Sequence, residues 1–228
     1  VRCESKSEDQ SVTRATLERW GSRTFAHWYS QVNRDPSIGL SGTAAGIERG
    51  RVVIRQHLRS MDFTIAAALV ADAPAQPPAR AGSRAGEWKL DATAGFTLLV
   101  AVATSEEAAD PTAEVHRILD AAERAGYARI RADHEAEWKR FWSRSMIDLP
   151  EKYLENIWHL TLYFANSSSR GKYPPHFCNG LWGWNRDFVP WNYYFHWNMQ
   201  DYVWPLHTAN HAELAAPYFR YRGAQLER

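Results

Sequence analysis

The early part of the chain is built from short apolar runs that read as strands. Residues 11–20 (SVTRATLERW) roughly alternate apolar with polar. Residues 23–30 (RTFAHWYS), 51–58 (RVVIRQHL), 63–70 (FTIAAALV) and 95–104 (GFTLLVAVAT) are β-branched or aromatic segments. Gly, Pro, Asn and Asp collect between them. Residues 71–88 (ADAPAQPPARAGSRAGEW) show no periodicity and predict a long surface loop. Strands of this length and spacing predict the end of a β-sandwich.

The period then changes. Asp110 followed by Pro111 is a helix start, because the carboxylate can accept from orphan N–H groups and proline has none to leave unpaired. Val115, Ile118, Leu119 and Ala122 follow at helix spacing, and Gly126 suits the stop. A second helix is predicted over about 128–145, with Ile130, His134, Trp138, Phe141 and Trp142 on one face. A third begins near Glu151 and carries Leu154, Ile157, Trp158, Thr161 and Phe164. The last two cover about 197–210 and 212–221, with Pro217 tolerated only near a helix start or at a kink. Strands first and helices afterwards predict two domains in tandem.

Composition adds little until the aromatic residues are located. Net charge is +1, so nothing draws the chain to nucleic acid or to an anionic membrane surface. The longest apolar run, 65–71, is far too short to span a bilayer. Cys3 and Cys178 fit no metal spacing. The chain opens on VRCESK, which reads as mid-strand, and closes on YFRYRGAQLER, which reads as mid-helix, so a piece of a longer protein is expected. Eight of 11 tryptophans lie after residue 137, and five of them fall between Gly180 and Trp204.

That stretch mixes flat rings with Asn, Gln and His and holds few charges. Indole and phenol faces pack against the C–H faces of sugar rings, while neutral amides and imidazoles bond the hydroxyls. Trp138, Trp142 and Trp158 sit at helix spacing and are better explained as core. Trp182, Trp184, Trp191 and Trp197 are not helix-periodic and stand among Gly, Asn and Pro, where a core role is weaker. In HWNMQ, an extended backbone would point His196, Asn198 and Gln200 the same way; the alternative is that they serve the start of the next helix. His207 and His211 are four apart, but Thr208 stands where a zinc-protease motif needs Glu, so they read as helix-surface or core residues. The acidic residues of the helical part form no persuasive acid–base pair, and no nucleophile elbow or phosphate-binding loop is present.

With these residues in view, the later half of the chain resembles glycoside hydrolase family 95, the α-L-fucosidase family. HEAEWKRFWSRSMIDLP (134–150) is similar to the family's linker before the catalytic domain. LYFANSSSRG (162–171) resembles its Tyr-Leu-Leu-x-Ser-Ser-Ser-Arg-Pro-Gly stretch, and CNGLWG (178–183) its Leu-Gln-Gly-Ile-Trp-Asn. HWNMQDYVW (196–204) resembles Asn-x-Asn-x-Gln-Met-Asn-Tyr-Trp. Gly180 and Trp182 match, Asn179 stands where the family has Gln, and Gly183 where it has Asn. Asn198, Gln200 and Trp204 fall on the second Asn, the Gln and the Trp; His196 falls on the first Asn.

The resemblance implies a partial β-sandwich (1–104), a helical linker (105–150) and the first helices of an (α/α)6 barrel (151–228). It implies an inverting exo-glycosidase that removes a terminal sugar from a neutral glycan, with no metal or organic cofactor. In such a mechanism a Glu protonates the leaving oxygen and an Asp activates water, the two standing roughly 6.5–9.5 Å apart. Both carboxylates are expected beyond residue 228, which would leave this piece inactive alone. Asn198 would orient the base or its water. His196 and Gln200 would bind the water, the base or sugar hydroxyls. Trp182 and Trp204, on motif matches, and Trp184 and Trp191, on composition, would shape the sugar pocket, beside Asn179. An extracellular or periplasmic location is implied by analogy. A glycoside phosphorylase of a related barrel family and a non-catalytic sugar-binding protein are the alternatives.

Overall fold

The computed structural model describes residues 2–5, 12–18, 43–57, 61–72, 75–90, 95–169, 171 and 197–226. Among the described residues, eight strands come first: β1 (Arg2–Ser5), β2 (Val12–Glu18), β3 (Thr43–Glu48), β4 (Arg51–His57), β5 (Asp62–Ala71), β6 (Ala79–Arg80), β7 (Ala85–Lys89) and β8 (Phe96–Thr104). Helices follow: α1 (Pro111–Trp142), α2 (Lys152–Ser168), α3 (Trp197–Thr208), a 3-10 turn over Ala212–Ala215, and α4 (Ala216–Leu226). The order is β then α. The chain divides into two compact units, Val1–Asp133 and His134–Arg228, with the division falling inside α1.

In the first unit, two antiparallel sheets have the orders β1-β2-β7-β6 and β3-β4-β5-β8. Strand β4 lies inside the second sheet and explains the unbroken apolar run Val52-Val53-Ile54. Val52 and Ile54 share a core with Ala15 and Leu17 of β2, Ala67 of β5 and Trp88 of β7, so the sheets pack face to face. Val53 points the other way, with Ala66, Ala68, Ala101 and Ala103, and meets Val115 and Leu119 of α1. Alternation disappears from the sequence because both faces of the strand are covered.

Residues 71–88, expected as a loop, instead contribute β6 and β7. Trp88 pairs with Ala15 across the ladder and is only 2% exposed. Gly86 is required here: a Cβ built on it would stand 2.5 Å from Val52 Cγ1 in the facing sheet. The pairing that makes this a strand lies some seventy residues back in the chain, and a local period cannot report it. Strand β3 likewise carries no clear local signal. Residues 23–30, which read as a strand, lie outside the described residues.

A polar network fixes α1 on the second sheet. The Arg51 side chain is 6% exposed. It donates to Asp120 Oδ1 at 2.5 Å, to Glu123 Oε2 at 2.8 Å and to the His116 carbonyl at 3.2 Å. Burial pulls the Arg51 pKa down, but its bonds to Glu123 and Asp120 outweigh this and raise it. The bond from Arg51 holds the Asp120 carboxyl below the usual aspartate range. Arg55 does the same for Glu48, helped by His116.

The expected helix start is seen directly: Asp110 Oδ1 accepts from the N–H groups of Thr112 and Ala113 at 2.9 and 3.0 Å. Gly126 interrupts α1 with φ 74 and ψ 159, a conformation essentially restricted to glycine. The two expected helices are both present within α1, and they meet at the kink at Gly126.

In the second unit the core comprises Phe141, Leu162, Ala165, Met199, Val203, Leu206, Leu214 and Tyr218, among others. Trp138, Trp142 and Trp158 pack against its edge, in keeping with their helix spacing. On α2 the buried side is Leu162, Ala165 and Asn166. Leu154, Ile157 and Phe164 are exposed instead, at 54%, 43% and 39%. The helix is apolar on more than one side, so spacing alone does not choose the packed one. Glu151 caps α2 by accepting from Tyr153 N–H at 3.0 Å.

Candidate functional site

Helix α3 begins at Trp197. Each helical residue advances by about 100°, so Asn198 and Gln200 diverge by about 200°. They cannot point the same way, as an extended backbone would have allowed. Gln200 and Trp204, four residues apart, share a face, and Trp197 joins it one turn earlier. The Trp197 and Trp204 rings meet edge to face at 5.4 Å, with exposures of 58% and 53%. Met199 and Leu206 are held in the core away from this face, and Val203, also buried, lies between the two.

A cavity of about 580 Å³ opens on this face, lined by Gln200, Val203, Trp204, Tyr218, Phe219 and Arg222 among others. Of the anticipated sugar contacts, Gln200 and Trp204 thus lie together. Asn198 is exposed on α3, outside this lining. Asn179, Trp182, Trp184, Trp191 and His196 lie outside the described residues, as does Cys178.

Pro205 sits inside α3. It offers no N–H to the carbonyl of Asp201 one turn back. Both residues are exposed, so water can serve that carbonyl. The helix continues past it, with Ala209 N–H donating to the Pro205 carbonyl at 2.9 Å.

The two histidines part company. His207 is exposed in the last turn of α3. His211 is fully buried just before the 3-10 turn, stacked on Phe141 at 4.0 Å between centroids. Its Nδ1 lies 3.2 Å from Glu213 Oε1. Glu213 also accepts a forked pair from Arg144, at 2.6 and 3.1 Å. Asn210 completes the group in the left-handed conformation (φ 58): its Nδ2 donates to the Arg144 carbonyl, and its own carbonyl accepts from Arg144 Nη2. Burial raises the Glu213 pKa, but its own N–H, His211 and Arg144 together outweigh it, so the carboxyl lies below the ordinary glutamate range. No group of three or more His, Cys, Asp or Glu arranged to hold a metal occurs among the described residues.

Two serines of the NSSSRG stretch face the later helices. Ser168 Oγ donates to the Phe164 carbonyl at 2.6 Å and lies 3.2 Å from Tyr202 Oη. Ser169 Oγ donates to the Leu214 carbonyl at 2.6 Å. Burial pushes the Tyr202 phenol up, with Ser168 opposing. The one sequence signal for these contacts is three consecutive hydroxyls at a helix end, which does not name their partners.

No known family model matches the chain, and no curated protein matches it.

Proposed function

We propose that the chain is part of an inverting exo-glycoside hydrolase, of the α-L-fucosidase type, that removes a terminal sugar from a neutral glycan. In this reading the helical unit is the start of an (α/α)6 barrel. The observation that carries the proposal is the exposed face of α3. Two indoles and one amide, Trp197, Trp204 and Gln200, line up beside a cavity of about 580 Å³. Large rings half open to solvent, joined by a neutral hydrogen-bonding group, are what an uncharged sugar ring needs. Trp204 would stack on the sugar and Gln200 would bond a hydroxyl. Asn198, with His196, would orient a water or the carboxylate that activates it, from a side of α3 that diverges from Gln200 and Trp204. The acid and base carboxylates would come from beyond residue 228.

The test is turnover of p-nitrophenyl α-L-fucoside by the complete enzyme, with the product anomer followed by NMR. Inversion is expected, and retention would reject the mechanism. Asn198→Ala should lower kcat far more than it weakens sugar binding. Equal loss of both, or loss of neither, counts against a catalytic role.

A second reading is a non-catalytic sugar-binding protein. It is favoured by the divergence of Asn198 from the Gln200–Trp204 face, since binding needs only that face. Bound sugar released unchanged by the complete protein would decide for it.

A further inference from the structure

We infer that Ser168 and Tyr202 are positioning residues for the sugar-binding face of α3; the inference rests on the reading of that face given above. The polarity of the contact follows from proton counting. A serine hydroxyl carries one proton, and Ser168 spends it on the Phe164 carbonyl at 2.6 Å. The Tyr202 phenol must therefore be the donor across the 3.2 Å contact. The result is a directed chain, Tyr202 O–H to Ser168 O–H to the Phe164 carbonyl.

Tyr202 lies two residues after Gln200 on α3, so it projects from nearly the opposite side of the helix. Met199 and Leu206 give that side its burial, but apolar contacts tolerate rolling of a helix about its axis. A hydrogen bond from Tyr202 to a residue on α2 does not. Fixing Tyr202 fixes the direction in which Gln200 and Trp204 point. Ser169 makes a separate tie, from its hydroxyl to the Leu214 carbonyl in the 3-10 turn. The two adjacent serines thus serve different partners: one sets the roll of α3, the other anchors the turn before α4.

The experiment is a fluorescence titration of the complete protein with L-fucose and with D-galactose, with the melting temperature recorded for every variant. Ser168→Ala and Tyr202→Phe should each weaken sugar binding about tenfold, the loss of one hydrogen bond at its upper range. The double variant should bind no more weakly than either single one, because both remove the same bond. Ser168→Thr keeps a hydroxyl and should keep the affinity. Ser169→Ala should lower the melting temperature without changing affinity, separating lost stability from lost orientation. Unchanged affinity in Ser168→Ala and Tyr202→Phe, or additive losses in the double variant, would overturn the inference alone. Failure of the complete wild-type protein to bind either sugar would overturn the reading of the α3 face, and this inference with it.

Discussion

Arg144 grips Glu213 with both ends of its guanidinium, Nη1 to Oε1 at 2.6 Å and Nη2 to Oε2 at 3.1 Å. The pair ties the second residue after α1 to the 3-10 turn that precedes α4. Asn210 braces it from both directions through the Arg144 backbone and side chain. Because the Glu213 carboxyl is held below its ordinary range, its contribution is present at neutral pH. That contribution fades as pH falls from the ordinary glutamate range through the depressed value in the folded state. Both side chains are 43–45% exposed, so screening keeps the effect small, about 1 kcal/mol or less. Urea unfolding of wild type and Glu213→Gln should therefore differ at pH 7 and converge in acid. A gap that persists or grows in acid would contradict this.

The buried end of Arg51 is a larger matter. Removing it strands no deeply buried acid, since Asp120 and Glu123 are 40% and 36% exposed. It does delete a forked tie and leaves a hole between sheet and helix. Arg51→Ala should cost about 1–3 kcal/mol in chemical denaturation, the range for losing a buried network and its packing. A cost under about 0.5 kcal/mol, the range of ordinary surface substitutions, would mean the network is decorative.

Gly86 lies under Val52 with no room for a methyl group. Gly86→Ala should destabilise by about 1–3 kcal/mol through overpacking. Pairing it with Val52→Ala should recover part of the loss, because the clash partner is then smaller. Purely additive losses would contradict the contact.

At Gly126 the cost is conformational. The backbone holds φ 74 and ψ 159, and a methyl group added there would meet nothing within 4 Å. Gly126→Ala therefore meets backbone strain and no clash, about 1–3 kcal/mol. Circular dichroism should show either lower stability or a gain of helix as the kink straightens. Unchanged stability and unchanged helicity would refute the argument.

Much of the helical part is legible in the sequence because its signals are local. Asp110, Pro111 and Glu151 mark helix starts through chemistry confined to a turn, and the structure uses them in that way. Gly126 marks the break between the two helices of α1, as expected. The strand pattern is legible where one strand carries enough β-branched residues, as at 51–57 and 96–104. It fails at β7, where Gly, Ala and Trp become a strand only by pairing with β2 and covering Val52. The Arg51 network is hidden for the same reason: a charge beside an apolar run looks like the strand's edge until α1 is laid across it. At the candidate site, residue types point to Gln200 and Trp204, but which residues share a face requires the helix to be in place. Ser168, Ser169 and Tyr202 give no periodic signal, because their roles are contacts between elements.

The most direct test of a sugar-binding α3 is saturation-transfer NMR on the complete protein with L-fucose, comparing wild type with Trp204→Ala and Gln200→Ala. The wild type should transfer magnetisation to the sugar's C–H face, and both variants should lose most of that signal while remaining folded. Equal signals in all three proteins, or none in the wild type, would contradict a sugar-binding face on α3.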